Sequence, residues 1–146
     1  MEPLDLTARP PRSPREKLAG CVFMARTVDK LRAELPGGNP GDYIVAGSRS
    51  ISSYVLHKLR IGIDELRDVV SRARDEAEVE AWLRERLDPA VVEEVNGKVA
   101  AMRVDALNED DKAFVLDRHP LMRGKPLGAT FEFLEADDAA HFAARS

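Results

Sequence analysis

Apolar residues recur every three or four positions through most of this chain, and this spacing constrains its fold more than any other feature. Residues on one face of an α-helix recur with that period, whereas a half-buried strand alternates apolar and polar positions. The first such run consists of Leu18, Cys21, Ala25, Val28, Leu31 and Leu35. It predicts a helix of about six turns, which Pro36 and Gly37 would end.

The start of this first helix is predicted from its capping residues. Ser13 can accept a hydrogen bond from the first turn and Glu16 can reach back to it, which together form a capping box. Pro14 would occupy the first helical position, where its missing N–H costs nothing. We therefore expect the helix to begin at Ser13, after an extended, proline-rich arm at residues 1–12.

Five more segments repeat the helical spacing, and a sixth does so less clearly. The five are residues 50–62, 63–73, 75–87, 89–106 and 108–119, and the sixth is residues 129–144. The runs of β-branched residues that a parallel sheet would need are missing from the sequence. We therefore predict an all-α fold, with a single compact domain of about six helices at residues 13–146 that follows the arm.

Two segments leave a β-structure as an alternative. Asn96 and Gly97 form the dipeptide most typical of a two-residue hairpin turn, and the valines around them suit strands. The acidic pair before this dipeptide breaks the strict alternation of a strand, and the alanine pair after it favours a helix, which we therefore prefer. In the last segment, Phe131 and Phe133 alternate as they would in a short strand.

Composition narrows the class of protein. The net charge of -4 argues against a general nucleic-acid binder, which usually carries a basic excess. No apolar run approaches the roughly 18 residues of a membrane span, and the N-terminal residues lack the apolar stretch of a signal peptide. The single cysteine excludes an intramolecular disulfide. We expect a cytoplasmic protein of the bacterial type, without a membrane or nucleic-acid partner.

The glycine-rich stretch at residues 34–50, ELPGGNPGDYIVAGSRS, has two interpretations. It lacks the lysine and hydroxyl pair that completes a phosphate-binding loop, and it follows a helix rather than a strand, so it is first a connection shaped by glycine and proline. If a helix begins near Ser50, however, its free N–H groups, two hydroxyls and a guanidinium would form an anion site. The residues predicted to bind the anion or to wall its pocket are Tyr43, Ser48, Arg49, Ser50, Tyr54 and His57.

Other chemistry-bearing residues give no recognised pattern. Cys21 lies on the apolar face of the first predicted helix and is expected to be a buried, inert side chain. His57, His119 and His141 lack the spacing of metal ligands, so we predict no metal site, no cofactor and no catalytic residue. Asp137 and His141 are four residues apart and would meet on a helix, as an exposed surface pair.

Charge is distributed unevenly along the chain. Residues 75–94 contain eight acids and two arginines, a net charge of -6, while residues 6–15 contain Arg9, Arg12 and Arg15 without an acid, a net charge of +3. One interpretation is a solvated helix face and a solvated arm. The other is that the basic arm docks on the acidic segment, either within the chain or on a second copy, and the second case would favour a homodimer.

The N-terminal half contains three characteristic motifs, LDLT (Leu4–Thr7), PRSP (Pro11–Pro14) and the stretch Met24–Ala33. In these motifs it resembles a family of small bacterial proteins catalogued as a domain of unknown function. LRIGIDEL (Leu59–Leu66) departs from the family pattern by an extra residue before the glycine. The resemblance implies that the proline-rich arm and the glycine-rich stretch occur together in one domain, and it implies no activity.

Two functions follow from these observations. The first is a non-enzymatic cytoplasmic binding or assembly module that associates with itself into a homo-oligomer. The alternative is a small enzyme, or a binding protein for a small anionic ligand, with its pocket near Arg49. The absence of a recognised catalytic constellation in the sequence favours the first.

Overall fold

Helices dominate this computed structural model, which describes residues 1–45, 47 and 49–143. The α-helices are α1 (Met24–Ala33), α2 (Ile51–Leu59), α3 (Ile63–Arg72), α4 (Glu76–Arg86), α5 (Pro89–Ala100), α6 (Glu109–Arg118) and α7 (Thr130–Ala143). The antiparallel strands β1 (Lys17–Leu18) and β2 (Cys21–Val22) form the small sheet, and 3₁₀ turns span Val104–Ala106 and Pro120–Met122. The predicted all-α class is confirmed, since so little of the chain is strand.

The chain divides into two compact units, Met1–Asn96 and Gly97–Ser146. In the first, α1 lies at the centre of the core and contacts both β1 and α3. Its apolar side chains are almost fully buried, as are Leu66 and Val70 of α3. In the second, α7 contacts the turn Pro120–Met122, and Met122 and Phe133 are buried.

The first helix begins at Met24, and the prediction that it begins at Ser13 is wrong. A β-hairpin, β1–β2, comes before it. Ala19 and Gly20 connect the strands with φ angles of 52° and 76°, which is the left-handed pair that a tight two-residue hairpin turn requires. Phe23 also has a positive φ, 68°, and this residue separates the hairpin from the helix.

Asn96 holds this hairpin in place from the other end of the first unit. Its Oδ1 accepts a hydrogen bond from the backbone N–H of Val22 at 2.9 Å, and its Nδ2 donates to the carbonyl of Gly20 at 2.8 Å. Asn96 and Gly97 both lie within α5, so the helix predicted there is confirmed and the hairpin alternative is wrong. Asn96 is therefore not part of a turn itself, and its side-chain amide binds the backbone of the turn between β1 and β2.

The boundaries of the other helices follow from ordinary capping chemistry. Asp75 accepts a hydrogen bond from the N–H of Glu78 at the start of α4, and Asn108 accepts one from the N–H of Asp111 at the start of α6. The last segment is helical, so Phe131 lies in α7 rather than in a strand.

The arm at residues 1–12 contains a turn at residues 6–8 and packs on α1. Leu4 and Leu6 are buried in a cluster with Ala33, against which Tyr43 also packs. The N–H of Leu4 donates to the carbonyl of Arg32 at 3.2 Å. The arm is therefore part of the core of the first unit.

Arg12 ties the end of the arm to two helices. Its Nε donates to Oδ2 of Asp29 on α1 at 3.1 Å, and its terminal nitrogens donate to Oδ1 of Asp29 at 3.0 Å and to Glu76 at the start of α4. Burial lowers the pKa of Arg12, but the hydrogen bonds to Glu76 and Asp29 and the negative charges of these two residues raise it by more. The net shift of the pKa is therefore upward. Since Glu76 lies in the acidic segment, the arm docks on that segment within its own chain.

We expect Asn96→Ala to lower the free energy of unfolding by about 1–3 kcal/mol, because the N–H of Val22 and the carbonyl of Gly20 both lose their partner. Urea denaturation followed by circular dichroism measures the change. Glu93→Ala, at an exposed position of the same helix, is the control and should change stability by less than about 0.5 kcal/mol. If Asn96→Ala is as stable as the wild type, the amide does not hold the turn.

We expect Arg12→Met to cost about 3 kcal/mol of unfolding free energy, because it leaves the carboxylate of Asp29, only 5% exposed, without its bidentate partner. Arg67→Met is the matched control. Arg67 also bridges two carboxylates, Glu34 and Asp64, but its side chain is 43% exposed, so its loss should cost less than about 1 kcal/mol. Equal losses from the two variants in urea denaturation would contradict the role given to Arg12.

Candidate functional site

Of the two serines predicted for the anion site near Arg49, the structure describes only Ser50. Ser48 lies outside the described residues. Ser50 is the N-cap of α2, and its Oγ accepts from the N–H of Ser53 at 3.1 Å and donates to the Oγ of Ser53 at 3.0 Å. Arg49 is exposed, with a left-handed φ of 64°. The helix does begin where the anion site requires it, but the hydroxyl of Ser50 is engaged in the cap.

The residues predicted to wall that pocket make contacts of different kinds. Tyr43 packs on the cluster of the arm, and the guanidinium of Arg26 lies 5.7 Å from its ring centre. Tyr54 is half-buried, with the ammonium of Lys58 5.8 Å from its ring. His57 is exposed on α2. A pocket near Arg49 therefore stays a prediction, since these contacts describe packing rather than a wall.

A cleft of about 660 Å³ lies at the C-terminal end of α2, and we call it the Arg60 cleft. It is lined by Lys58, Leu59, Arg60, Ile61, Glu65, Arg86, Asp88 and Val91. The ends of four helices meet here, because α2 and α4 end and α3 and α5 begin among these residues. Leu59 and Ile61 are each 6% exposed and give the cleft an apolar surface beneath its charged groups.

The conformation of Arg60 is unusual for an arginine. It ends α2 with a φ of 59° and a ψ of 38°, in the left-handed region that glycine normally fills after a helix. Its N–H donates to the carbonyl of His57 at 3.1 Å, and the N–H of Ile61 donates to the carbonyl of Leu56 at 2.9 Å. These two bonds form the Schellman motif, which closes the helix and turns the chain sharply. The motif fixes the backbone of Arg60 at the edge of the cleft.

Three cations and two acids face the cleft, so its lining carries a net positive charge. Among the described residues, the guanidinium of Arg60 has neither a hydrogen bond nor an ion pair. Arg86 stacks on the ring of Trp82, 4.1 Å from its centre, and donates to the carbonyl of the same residue at 3.1 Å. Of the acids, Asp88 accepts a hydrogen bond from the N–H of Ala90 at 2.9 Å. The Arg60 cleft can therefore offer a guanidinium that is not already neutralised.

The sequence analysis did not identify this cleft. The helix ends on Arg60, two positions before Gly62. A glycine shortly after a helical pattern is usually taken as its end. The sequence pattern does not reveal that an arginine adopts the left-handed conformation instead.

A second cleft, of about 630 Å³, is lined by the arm and by the residues that bind Arg12. Of its cations, Arg9 alone has neither a hydrogen bond nor an ion pair among the described residues. Arg12 binds Asp29 and Glu76, and Arg74 pairs with Glu78 at 2.7 Å. The N-terminal ammonium donates to the carbonyl of Ala73 at 2.6 Å. The charges of this cleft hold the arm in place, which makes it a poor candidate for an anion site.

Cys21 is fully buried, which confirms the expectation of a buried side chain. Burial raises the pKa of its thiol to about 11, although the charge of Lys17 acts in the opposite direction. Because a reactive cysteine needs an accessible thiolate, Cys21 does not fit a nucleophile.

The pairing of Asp137 with His141 differs from the prediction. Asp137 is only 1% exposed, so it does not form a surface pair. Its Oδ2 lies 3.6 Å from Nε2 of His141 and 2.8 Å from Nδ1 of His119. Sequence spacing indicated the first contact but not the second, which joins residues 18 positions apart.

The part of the chain that is described contains neither a candidate metal site nor a candidate membrane-spanning helix. No three histidine, cysteine, aspartate or glutamate side chains come together there in a way that would hold a metal ion. None of the helices described there combines the length and the apolar character needed to cross a bilayer.

Comparison with known proteins identifies a family but no activity. No curated protein matches the chain. Residues 8–139, which include the end of the arm, the Arg60 cleft and the contact of Asp137 with His119, match the family described as "Domain of unknown function (DUF5069)". The match extends the likeness seen in the N-terminal half through most of the second unit. The chain therefore belongs to the DUF5069 family of domains of unknown function.

Proposed function

We propose that this protein binds a small anionic ligand, and that the ligand binds in the Arg60 cleft. The single observation that carries the proposal is the state of Arg60. Its backbone is fixed in a left-handed conformation, and its guanidinium has no hydrogen-bond or ion-pair partner among the described residues.

The conformation of Arg60 has a cost that a glycine at this position would avoid. A side chain in the left-handed region costs about 1–2 kcal/mol, because Cβ approaches the following carbonyl. Cations near the end of a helix do offset its dipole, but Lys58 in the last turn of α2 already provides that charge. Helix termination alone therefore does not explain an arginine here, whereas anion binding does.

The chemistry of the cleft suggests the kind of ligand. A guanidinium offers two parallel N–H donors, which match the oxygens of a carboxylate or a phosphate. Lys58 and Arg86 add positive charge, and Leu59 and Ile61 provide an apolar surface beside it. We infer a ligand that carries a phosphate or carboxylate group next to a small apolar portion, of a size that fits about 660 Å³.

The structure gives less support to self-association than the sequence does. A homodimer was expected if the basic arm docked on a second copy, but Arg12 binds Asp29 and Glu76 of its own chain. An oligomer would need another surface, and the oligomeric state and the cytoplasmic location both stay predictions. The anion site near Arg49 also stays a prediction, and the Arg60 cleft can be tested against it directly.

Two glycine substitutions distinguish the two anion sites. Arg60→Gly should remove binding of inorganic phosphate, or weaken it by at least about tenfold, because one charge-assisted hydrogen bond contributes about 1.5–3 kcal/mol. It should leave stability unchanged or slightly raised, because glycine adopts the left-handed conformation freely. Arg49→Gly is the matched control, since Arg49 has a φ of 64° and lies outside the cleft lining.

Isothermal titration calorimetry with inorganic phosphate and then pyrophosphate measures both variants against the wild type. The proposal expects saturable heat for the wild type and for Arg49→Gly, and its loss for Arg60→Gly. If Arg49→Gly loses binding while Arg60→Gly keeps it, the site lies at the start of α2 instead. Absence of saturable binding by the wild type in the millimolar range would reject anion binding in both places.

A further inference from the structure

The second unit contains a buried carboxylate between two imidazoles. Asp137 lies on α7 and is 1% exposed. Its Oδ2 is 2.8 Å from Nδ1 of His119 and 3.6 Å from Nε2 of His141. Its Oδ1 is buried and has no hydrogen-bond partner among the described residues. One carboxylate oxygen of Asp137 therefore lies beside two imidazoles, of which His141 is one helical turn away and His119 is 18 residues away in sequence.

A structural role alone gives a poor explanation of this arrangement. A buried carboxylate loses its hydration, and an oxygen without a partner is not compensated for that loss. Well-packed apolar side chains of similar volume often serve stability equally well. A buried carboxylate that holds a histidine ring by its Nδ1 is, in contrast, the arrangement by which a histidine is oriented for proton transfer.

The geometry orients His119 for proton transfer. Its Nδ1 faces the carboxylate, so the neutral ring carries its proton on Nδ1 and leaves the lone pair on Nε2. The edge-to-face contact with Phe133, with ring centres 5.4 Å apart and planes at 85°, fixes the plane of the imidazole. The side chain of His119 is 26% exposed, and Nε2 has no hydrogen-bond partner among the described residues. A basic nitrogen is thus held in place at the surface.

We propose that His119 acts as a general base that activates water for the hydrolysis of a small carboxylic ester, and that Asp137 positions it. This proposal does not rest on the Arg60 cleft, which belongs to the other unit. A carboxylic ester is a substrate that an imidazole base can hydrolyse with water as the only co-reactant. His119 would be the catalytic residue, and Asp137 a positioning residue.

The reaction balances with water alone. Nε2 of His119 takes a proton from water as the water oxygen forms a bond to the acyl carbon, and the carbonyl electron pair moves onto its oxygen. The bond to the leaving oxygen then breaks as the carbonyl re-forms, and the leaving oxygen takes the proton back from Nε2. Asp137 accepts the hydrogen bond from Nδ1 throughout and stabilises the transient imidazolium.

The first test measures hydrolysis of p-nitrophenyl acetate by the full chain. His119→Gln should remove the activity, and Asp137→Asn should lower it by about 10²-fold, which is typical of a general base that has lost its orientation. Asp110→Asn is the matched control, because Asp110 is exposed on α6 of the same unit. It should hydrolyse the ester as fast as the wild type. A rate for His119→Gln equal to the wild-type rate would overturn the proposal.

The second test needs no variant, so it holds even if Asp137→Asn folds poorly. Long-range ¹⁵N–¹H spectra of the wild type should show neutral His119 protonated on Nδ1 and bare on Nε2. The opposite tautomer would contradict the orientation of His119 by Asp137.

The wild-type reaction should also be slower in D₂O, since proton transfer from water accompanies the attack. Equal rates in H₂O and D₂O would mean that His119 attacks the ester as a nucleophile and would overturn the general-base step.

Discussion

The ion pair of Arg12 with Asp29 is the interaction on which the first unit depends most. Nine of the ten residues of α1 are buried, and four of these nine are polar or charged. Such a helix needs partners for its polar groups, because a buried charge without one is costly. The arm supplies one by placing Arg12 against Asp29, and the same guanidinium reaches Glu76 at the start of α4. Arm, central helix and acidic segment are therefore held by one side chain.

Local rules predicted the helices well and the hairpin badly. Asp75 as a cap and the helix through Gly97 follow from short-range chemistry. The hairpin was missed because Leu18 and Cys21, three residues apart as on a helix face, are also a cross-strand pair that is buried in the sheet. What decides between the two is Asn96, whose amide binds the turn from 76 residues away along the chain. A one-dimensional pattern does not contain that contact.

The candidate sites were hard to predict for related reasons. A site near Arg49 could be predicted because its residues are adjacent in sequence, while the Arg60 cleft combines the ends of four helices. Its distinguishing feature, an arginine with a φ of 59°, is a backbone property that composition does not reveal. Asp137 and His119 likewise meet only because the chain turns at Pro120–Met122 between α6 and α7. In each case the chemistry depends on where an element ends.

The central claim about function is that Arg60 binds an anion, and an NMR titration tests it most directly. Two-dimensional ¹H–¹⁵N spectra of the wild-type protein would be recorded with increasing inorganic phosphate, including the side-chain Nε–H signals of the arginines. The account predicts saturable shifts at Arg60 Nε–H, at Arg86 Nε–H and at the amides of residues 58–61. Shifts confined to residues 49–53, or no saturable shift at all, would contradict it.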